Sequence, residues 1–141
     1  MRFFDMDCNP SQLSPLTLAF VGDAVFDLFV RERLVCLANR PVNRLHSLAV
    51  SLVKASSQAR AAKRLSEILS EKELSVLKRG RNAHTNHKAK NASESDYHYA
   101  TGLEALFGFL YLSGESDRLR ELFELTLDFI EEDYVAQTAA D

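Results

Sequence analysis

The chain has 141 residues, 46% of them hydrophobic, with three prolines, two cysteines and a formal charge of −3, enough to build a core without staples and in keeping with a single domain over 1–141. Its longest apolar run, Leu16 to Val30, is broken by Asp23 and Asp27 and is too short for a bilayer, while the opening MRFFDMDC carries acids where an export signal needs bases; neither a membrane span nor secretion is expected. Cys8 and Cys36 lack the C-x-x-C spacing of a zinc or redox site and read as reduced thiols, which agrees with a cytoplasmic location.

Proline occurs only at 10, 15 and 41, there is no Asn-Gly or Asp-Gly hairpin signal, and apolar residues recur at helical spacing, so the expected fold is all-α. Ser14-Pro15 reads as an N-cap with proline in the first turn of a helix running to about Leu37. That helix is apolar nearly all round, which predicts burial among other helices and puts Asp23 near the middle of the fold. A second helix is expected from Pro41, carrying Leu45, Leu48, Val50 and Leu52, and a third over roughly Ser57 to Leu69, both basic outside. Ser70-Glu-Lys-Glu73 matches a capping box opening a short helix to about Arg79, with Gly80 as its C-cap. Residues 81–93 are polar, basic and aperiodic, an exposed loop. A strongly apolar helix follows from about Ser95 to Leu112, Ser113-Gly114 breaks the chain, and an amphipathic helix covers about Asp117 to Tyr134, with Leu119, Leu122, Phe123, Leu127 and Ile130 on one face.

The modest net charge hides an asymmetry. Residues 33–93 hold 13 Lys or Arg against Glu67, Glu71 and Glu73, a local +10, and the flanks carry −13. From Arg33 through Ser66 and again from Leu74 through Ser93 there is no acid, the pattern of a surface suited to a polyanion such as nucleic acid; a solvated face balanced by the acidic tail is the competing account. Gly22, Gly102 and Gly108 fall inside expected helices, where each costs about 1 kcal/mol relative to Ala. Close approach of the two apolar helices would explain all three, as would incidental small residues at a tight crossing.

Asp23 in LAFVGDAVFDLFV and Glu104 in TGLEALFGFLYL sit inside the two most apolar stretches. An ionised carboxylate there needs a cation, a metal or several donors. One shared divalent metal accounts for both; separate arginine partners or backbone caps would also do so. Asp27, one turn beyond Asp23, could orient metal-bound water from outside the ligand set or pair with Arg31.

These two segments, FVGDAVFDLFV at 20–30 and LEALFGFLYL at 103–112, resemble the two acidic segments of the ribonuclease III catalytic domain. Asp23 falls on that family's signature aspartate, within the Gly-Asp-Ala step, and Glu104, in Leu-Glu-Ala-Leu-x-Gly, on its glutamate. Arg79-Gly-Arg-Asn82, the basic loop to Lys90 and Tyr97-His-Tyr-Ala-Thr101 are closer to the Mini-ribonuclease III branch, which is the catalytic domain alone, without a separate double-stranded-RNA-binding domain. Two acids of the larger family are missing: Ala19 stands where it has a glutamate and Thr101 where it has an aspartate.

The resemblance implies a homodimeric helical bundle that cleaves double-stranded RNA with Mg²⁺, or Mn²⁺ as a substitute, held by Asp23 and Glu104 as catalytic and metal-binding residues. The products would carry 5′ phosphates. Its implied substrate is the precursor of large-subunit (23S-type) ribosomal RNA, with a ribosomal protein as a possible partner. Lys78, Arg79, Arg81, Lys88 and Lys90 would meet phosphates, and Asn82, His84, Asn86 and His87 could reach 2′-hydroxyls or base edges; a solvated basic loop is the alternative. His84-x-x-His87 has no local Cys or carboxylate to make a metal site, and Tyr97 and Tyr99 read as packing residues more readily than base-stacking ones. The rival functions are a non-catalytic RNA-binding or ribosome-associated module of the same fold, and a helical dimer whose basic middle binds proteins.

Overall fold

A computed structural model describes residues 2–83 and 91–139. Among these the secondary structure is a short 3-10 turn, Pro10–Gln12, and six helices: α1 Pro15–Leu37, α2 Val42–Leu52, α3 Ala55–Leu65, α4 Glu71–Arg81, α5 Ala92–Leu112 and α6 Ser116–Ala139. The all-α expectation holds, and the start signals act as anticipated. The Ser14 hydroxyl accepts from the Thr17 amide ahead of Pro15. Ser70 and Glu73 form the full capping box. Helix α5 begins three residues earlier than expected because Asn91 caps it through the Glu94 amide.

Helix α5 is the axis of the bundle, with α1, α3 and α4 packed on it. From Ala100 to Leu110 only Glu104 and Phe109 are not fully buried. Phe107 meets Phe26 of α1 at 5.6 Å between ring centroids, and Phe123 of α6 closes on Phe26 edge-on at 5.6 Å. Leu119, Leu122, Phe123, Leu127 and Ile130 make α6 the amphipathic cover that its pattern predicts.

Helix α1 departs from expectation. Its apolar residues divide between a buried face, Leu18, Val25, Phe26, Val30 and Leu34, and an open one, Leu16, Phe20, Leu28 and Val35, with Phe20 81% exposed. Asp23 lies on the exposed side, at the surface and not in the interior. Gly80 is likewise no helix terminator. It is buried inside α4, whose C-cap is Asn82, and a Cβ at Gly80 would lie 2.7 Å from Ala105 Cβ and 2.9 Å from Gly102 Cα.

Two sets of ion pairs fasten α6. Arg118 donates to both Glu73 oxygens at 2.9 Å, joining the first turn of α4 to α6. Farther along, Glu131, Glu132 and Asp133 meet Arg33 of α1 and Arg64 and Arg60 of α3 at 3.5, 2.7 and 3.1 Å. Exposed pairs of this kind add little stability, but they neutralise three of the bases in the basic middle. Arg118, aided by the Ser70 amide and hydroxyl, holds the Glu73 carboxyl below its ordinary value against the opposing effect of burial. A depressed carboxylate contributes stability above its unfolded pKa and loses it as pH falls. Glu73→Gln should therefore cost roughly 1–2 kcal/mol at pH 7, with the difference from the parent protein in urea unfolding shrinking as pH falls below the ordinary carboxylate range.

Candidate active site

Helices α1 and α5 touch backbone to backbone. A Cβ built on Gly22 would fall 1.6 Å from the Glu104 carbonyl oxygen, and one on Gly108 would fall 2.0 Å from the Leu18 carbonyl oxygen. Only residues without side chains permit that approach. Gly102 does different work from the one expected of it: it faces α4, where a Cβ would meet the Leu77 carbonyl at 2.6 Å. The crossing thus rests on Gly22 and Gly108, and it brings the Asp23 and Glu104 segments together from opposite ends of the sequence.

Glu104 is half-buried, Asp23 exposed. Burial first, and the neighbouring Asp23 charge second, push the Glu104 carboxyl up to about 7. Among the described residues no arginine, lysine or hydrogen-bond donor pairs with either acid. Two close carboxylates in a partly dehydrated crossing, without a cation, repel each other, so private arginine partners are not what sustains them. The described residues contain no group of three or more His, Cys, Asp or Glu placed to hold a metal ion. A two-carboxylate set suits Mg²⁺, which keeps several waters and takes one or two carboxylates, better than Zn²⁺ or Ca²⁺, which draw on larger protein ligand sets.

Nearby positions add no further acid. Ala19 is buried. Thr101 is buried and donates its hydroxyl to the Tyr97 carbonyl at 3.0 Å. Asp27 pairs with Arg31 at 3.1 Å, as one of the two readings of the sequence had it.

Lys78 and Arg79 are exposed on the last turn of α4. Arg81 Nε donates to Asn82 Oδ1 at 3.2 Å and Arg81 Nη1 to the Tyr99 hydroxyl at 3.4 Å. His84, Asn86, His87, Lys88 and Lys90 lie outside the described residues. Tyr99 packs against the core, as expected of it. Sequence reasoning missed Lys63, whose ammonium lies 4.8 Å from the Tyr99 ring centroid. It also missed the pairing of Arg33, Arg60 and Arg64 with the acids at 131–133. Partners so distant in the chain leave no local pattern, and the only available sign was that the Glu131-Glu-Asp133 run could balance the excess of bases.

Residues 16–115 match the family model described as Ribonuclease III domain. The chain is 49% identical over 120 residues to Mini-ribonuclease 3 of Thermoanaerobacter sp. (strain X514), covering 85% of this chain and 84% of that one. It is 42% identical over 131 residues to Mini-ribonuclease 3 of Brevibacillus brevis, covering 93% and 98%. Among solved structures, protein FN1578 from Fusobacterium nucleatum superposes with a TM-score of 0.72 at 26% identity, over 83% of this chain and 93% of the other. The matched span takes in both carboxylate segments and the glycine crossing between them, and the chain belongs to the Mini-ribonuclease III branch of the ribonuclease III family.

Proposed function

We propose that the protein is a Mg²⁺-dependent endoribonuclease that cuts both strands of duplex RNA and leaves 5′ phosphates, with Asp23 and Glu104 as its catalytic, metal-holding pair. The observation that carries this reading is the meeting of two cation-free carboxylates at the α1–α5 crossing, with Glu104 raised to about 7 by burial and by Asp23. A bound Mg²⁺ would supply the charge that acidifies an attacking water and offsets the developing charge on the phosphate. Glu104 and Asp23 would hold that cation, both as carboxylates. Asp27, tied to Arg31, stays outside the ligand pair.

Lys78, Arg79 and Arg81, with Lys88 and Lys90 of the following segment, neutralise backbone phosphates, while Asn82 and His84 reach 2′-hydroxyls or base edges. The open stripe of α1, Leu16, Phe20 and Leu28, spaced four and eight residues apart on one side of the helix, fits a second copy of the chain. In such a homodimer the two carboxylate pairs would face one RNA duplex, each pair cutting one strand. The substrate we propose, from the resemblance of the two acidic segments to the Mini-ribonuclease III branch, is the precursor of large-subunit ribosomal RNA in the cytoplasm, with a ribosomal protein as partner.

Duplex RNA incubated with the protein and Mg²⁺ should be cut at staggered positions, and EDTA or Asp23→Asn should each stop the cutting, with a rate loss of about a thousandfold or more for the variant. Cutting that survives either treatment removes the metal mechanism. Binding without cutting returns the protein to the non-catalytic RNA-binding reading.

A further inference from the structure

We propose that Lys63, Arg81 and Tyr99 form a phosphate-binding platform at the seam of α3, α4 and α5, gripping the sugar-phosphate backbone of duplex RNA. This rests on the reading above that the protein binds such RNA, and it adds a helix, α3, and two residues, Lys63 and Tyr99, to the surface that does so.

Two cations from different helices converge on one ring. Lys63 Nζ lies 4.8 Å and Arg81 Cζ 5.4 Å from the Tyr99 centroid, and Arg81 Nη1 reaches the Tyr99 hydroxyl. Each contact is favourable singly, yet gathering two like charges is not. Among the described residues no carboxylate pairs with either. The contrast along α3 is informative: Arg60 and Arg64, flanking Lys63, both end on acids of α6, whereas Lys63 is turned to the ring. The acids at 132 and 133 are taken by Arg64 and Arg60, which leaves an external anion to complete the platform.

Arg81 is also held in a useful attitude. Nε is spent on Asn82 and Nη1 on Tyr99, which leaves Nη2 with no partner among the described residues and available to an anion. Its backbone rests on Gly102, where a Cβ would come within 3.1 Å of the Arg81 amide nitrogen, two residues before Glu104 on α5. Tyr99 precedes Glu104 by five residues, roughly 7–8 Å along the helix axis. Five residues also turn about 140° round the helix, so Tyr99 faces α3 and α4 while Glu104 faces α1, and the platform would grip a stretch of backbone away from the phosphate at the carboxylate pair. Such contacts fix position and carry no sequence preference.

The test is the salt dependence of binding to a duplex RNA in EDTA, measured for the wild type, Lys63→Ala, Tyr99→Leu and Lys72→Ala. Lys72 is the matched control, because its ammonium also sits on a ring, Phe109 at 5.4 Å, at the far end of α5. Each lost phosphate contact should lower the slope of log K against log salt by about one. Lys63→Ala should show that drop with a several-fold weaker affinity at 0.1 M salt. Tyr99→Leu, which removes no charge, should lower the slope as well, a change that lost packing alone would not produce, while Lys72→Ala should match the wild type. A Lys63→Ala slope equal to that of Lys72→Ala overturns the platform and leaves the nuclease reading standing. A wild type that does not bind duplex RNA overturns the reading beneath it, and the platform with it.

Discussion

Replacing Glu104 by glutamine should abolish RNA cleavage and, in the same stroke, make the protein more stable. The carboxyl moves from 4.5 to about 7 on folding, chiefly through burial and secondarily through Asp23. Because the folded-state value is raised, the native protein keeps a proton that the unfolded chain has released between those two values, so stability falls as pH climbs from 4.5 to 7 and the whole penalty is present above 7. A full shift of that size corresponds to roughly 3 kcal/mol; with part of the side chain open to solvent, about 2 kcal/mol is the better expectation. Glutamine carries no such penalty. In EDTA at pH 8 the variant should melt about 5–8 °C higher than the wild type, and the gap should close as pH approaches 4.5. Added Mg²⁺ should raise the wild-type melting temperature and leave that of Glu104→Gln nearly unmoved, while cleavage falls a thousandfold or more. A gap that persists unchanged at pH 4.5 would show that the gain comes from packing and not from charge.

The same acid shows where the sequence was transparent and where it was opaque. Helix starts such as Ser14-Pro15 and Ser70 to Glu73 are set by neighbours within one turn, so they are legible in the residues alone. The pairing of Asp23 with Glu104 was legible for another reason: a charge in an apolar run needs a partner, and each run holds a glycine that permits close approach. What a run's pattern does not reveal is which apolar faces meet this chain's own core. Helices α1 and α5 read alike, yet α5 is enclosed by three helices and α1 turns Phe20 and Leu28 outward, so Asp23 emerges at the surface. Gly80 misled because a glycine closing a short basic helix looks like a terminator, whereas its use is a contact with Gly102 and Ala105. The basic middle overstated the free positive surface, since Arg33, Arg60 and Arg64 are held by acids from the far end of the chain.

Gly22→Ala should be the most damaging single-methyl change in the protein. The added carbon would stand 1.6 Å from the Glu104 carbonyl oxygen, 2.5 Å from its carbonyl carbon and 2.8 Å from the Gly108 amide nitrogen. All three are backbone atoms of α5, the helix on which α1, α3 and α4 are packed, so no side chain can swing away to make room. Relief requires α1 and α5 to part by an ångström or more, which opens the Phe26, Phe107 and Phe123 cluster. Alanine's helix propensity returns about 1 kcal/mol, against an overpacking cost of typically 1–3 kcal/mol and more where backbone must move. A net loss of about 3 kcal/mol or more is expected in urea unfolding. It is a large share of the stability of a domain this size. Gly114→Ala provides the calibration: its φ of 75° disfavours alanine, but nothing lies within 4 Å of the new carbon, so the cost should stay near 1 kcal/mol. The fold and the chemistry are coupled at this crossing, because helices that part also separate Asp23 from Glu104. Any Gly22→Ala protein that remains folded should therefore cleave poorly, with the Glu104 carboxyl titrating closer to its ordinary value in a carbonyl-detected NMR titration. Near-normal stability in this variant would mean that the two backbones do not meet at Gly22, and the shared carboxylate site would lose its foundation.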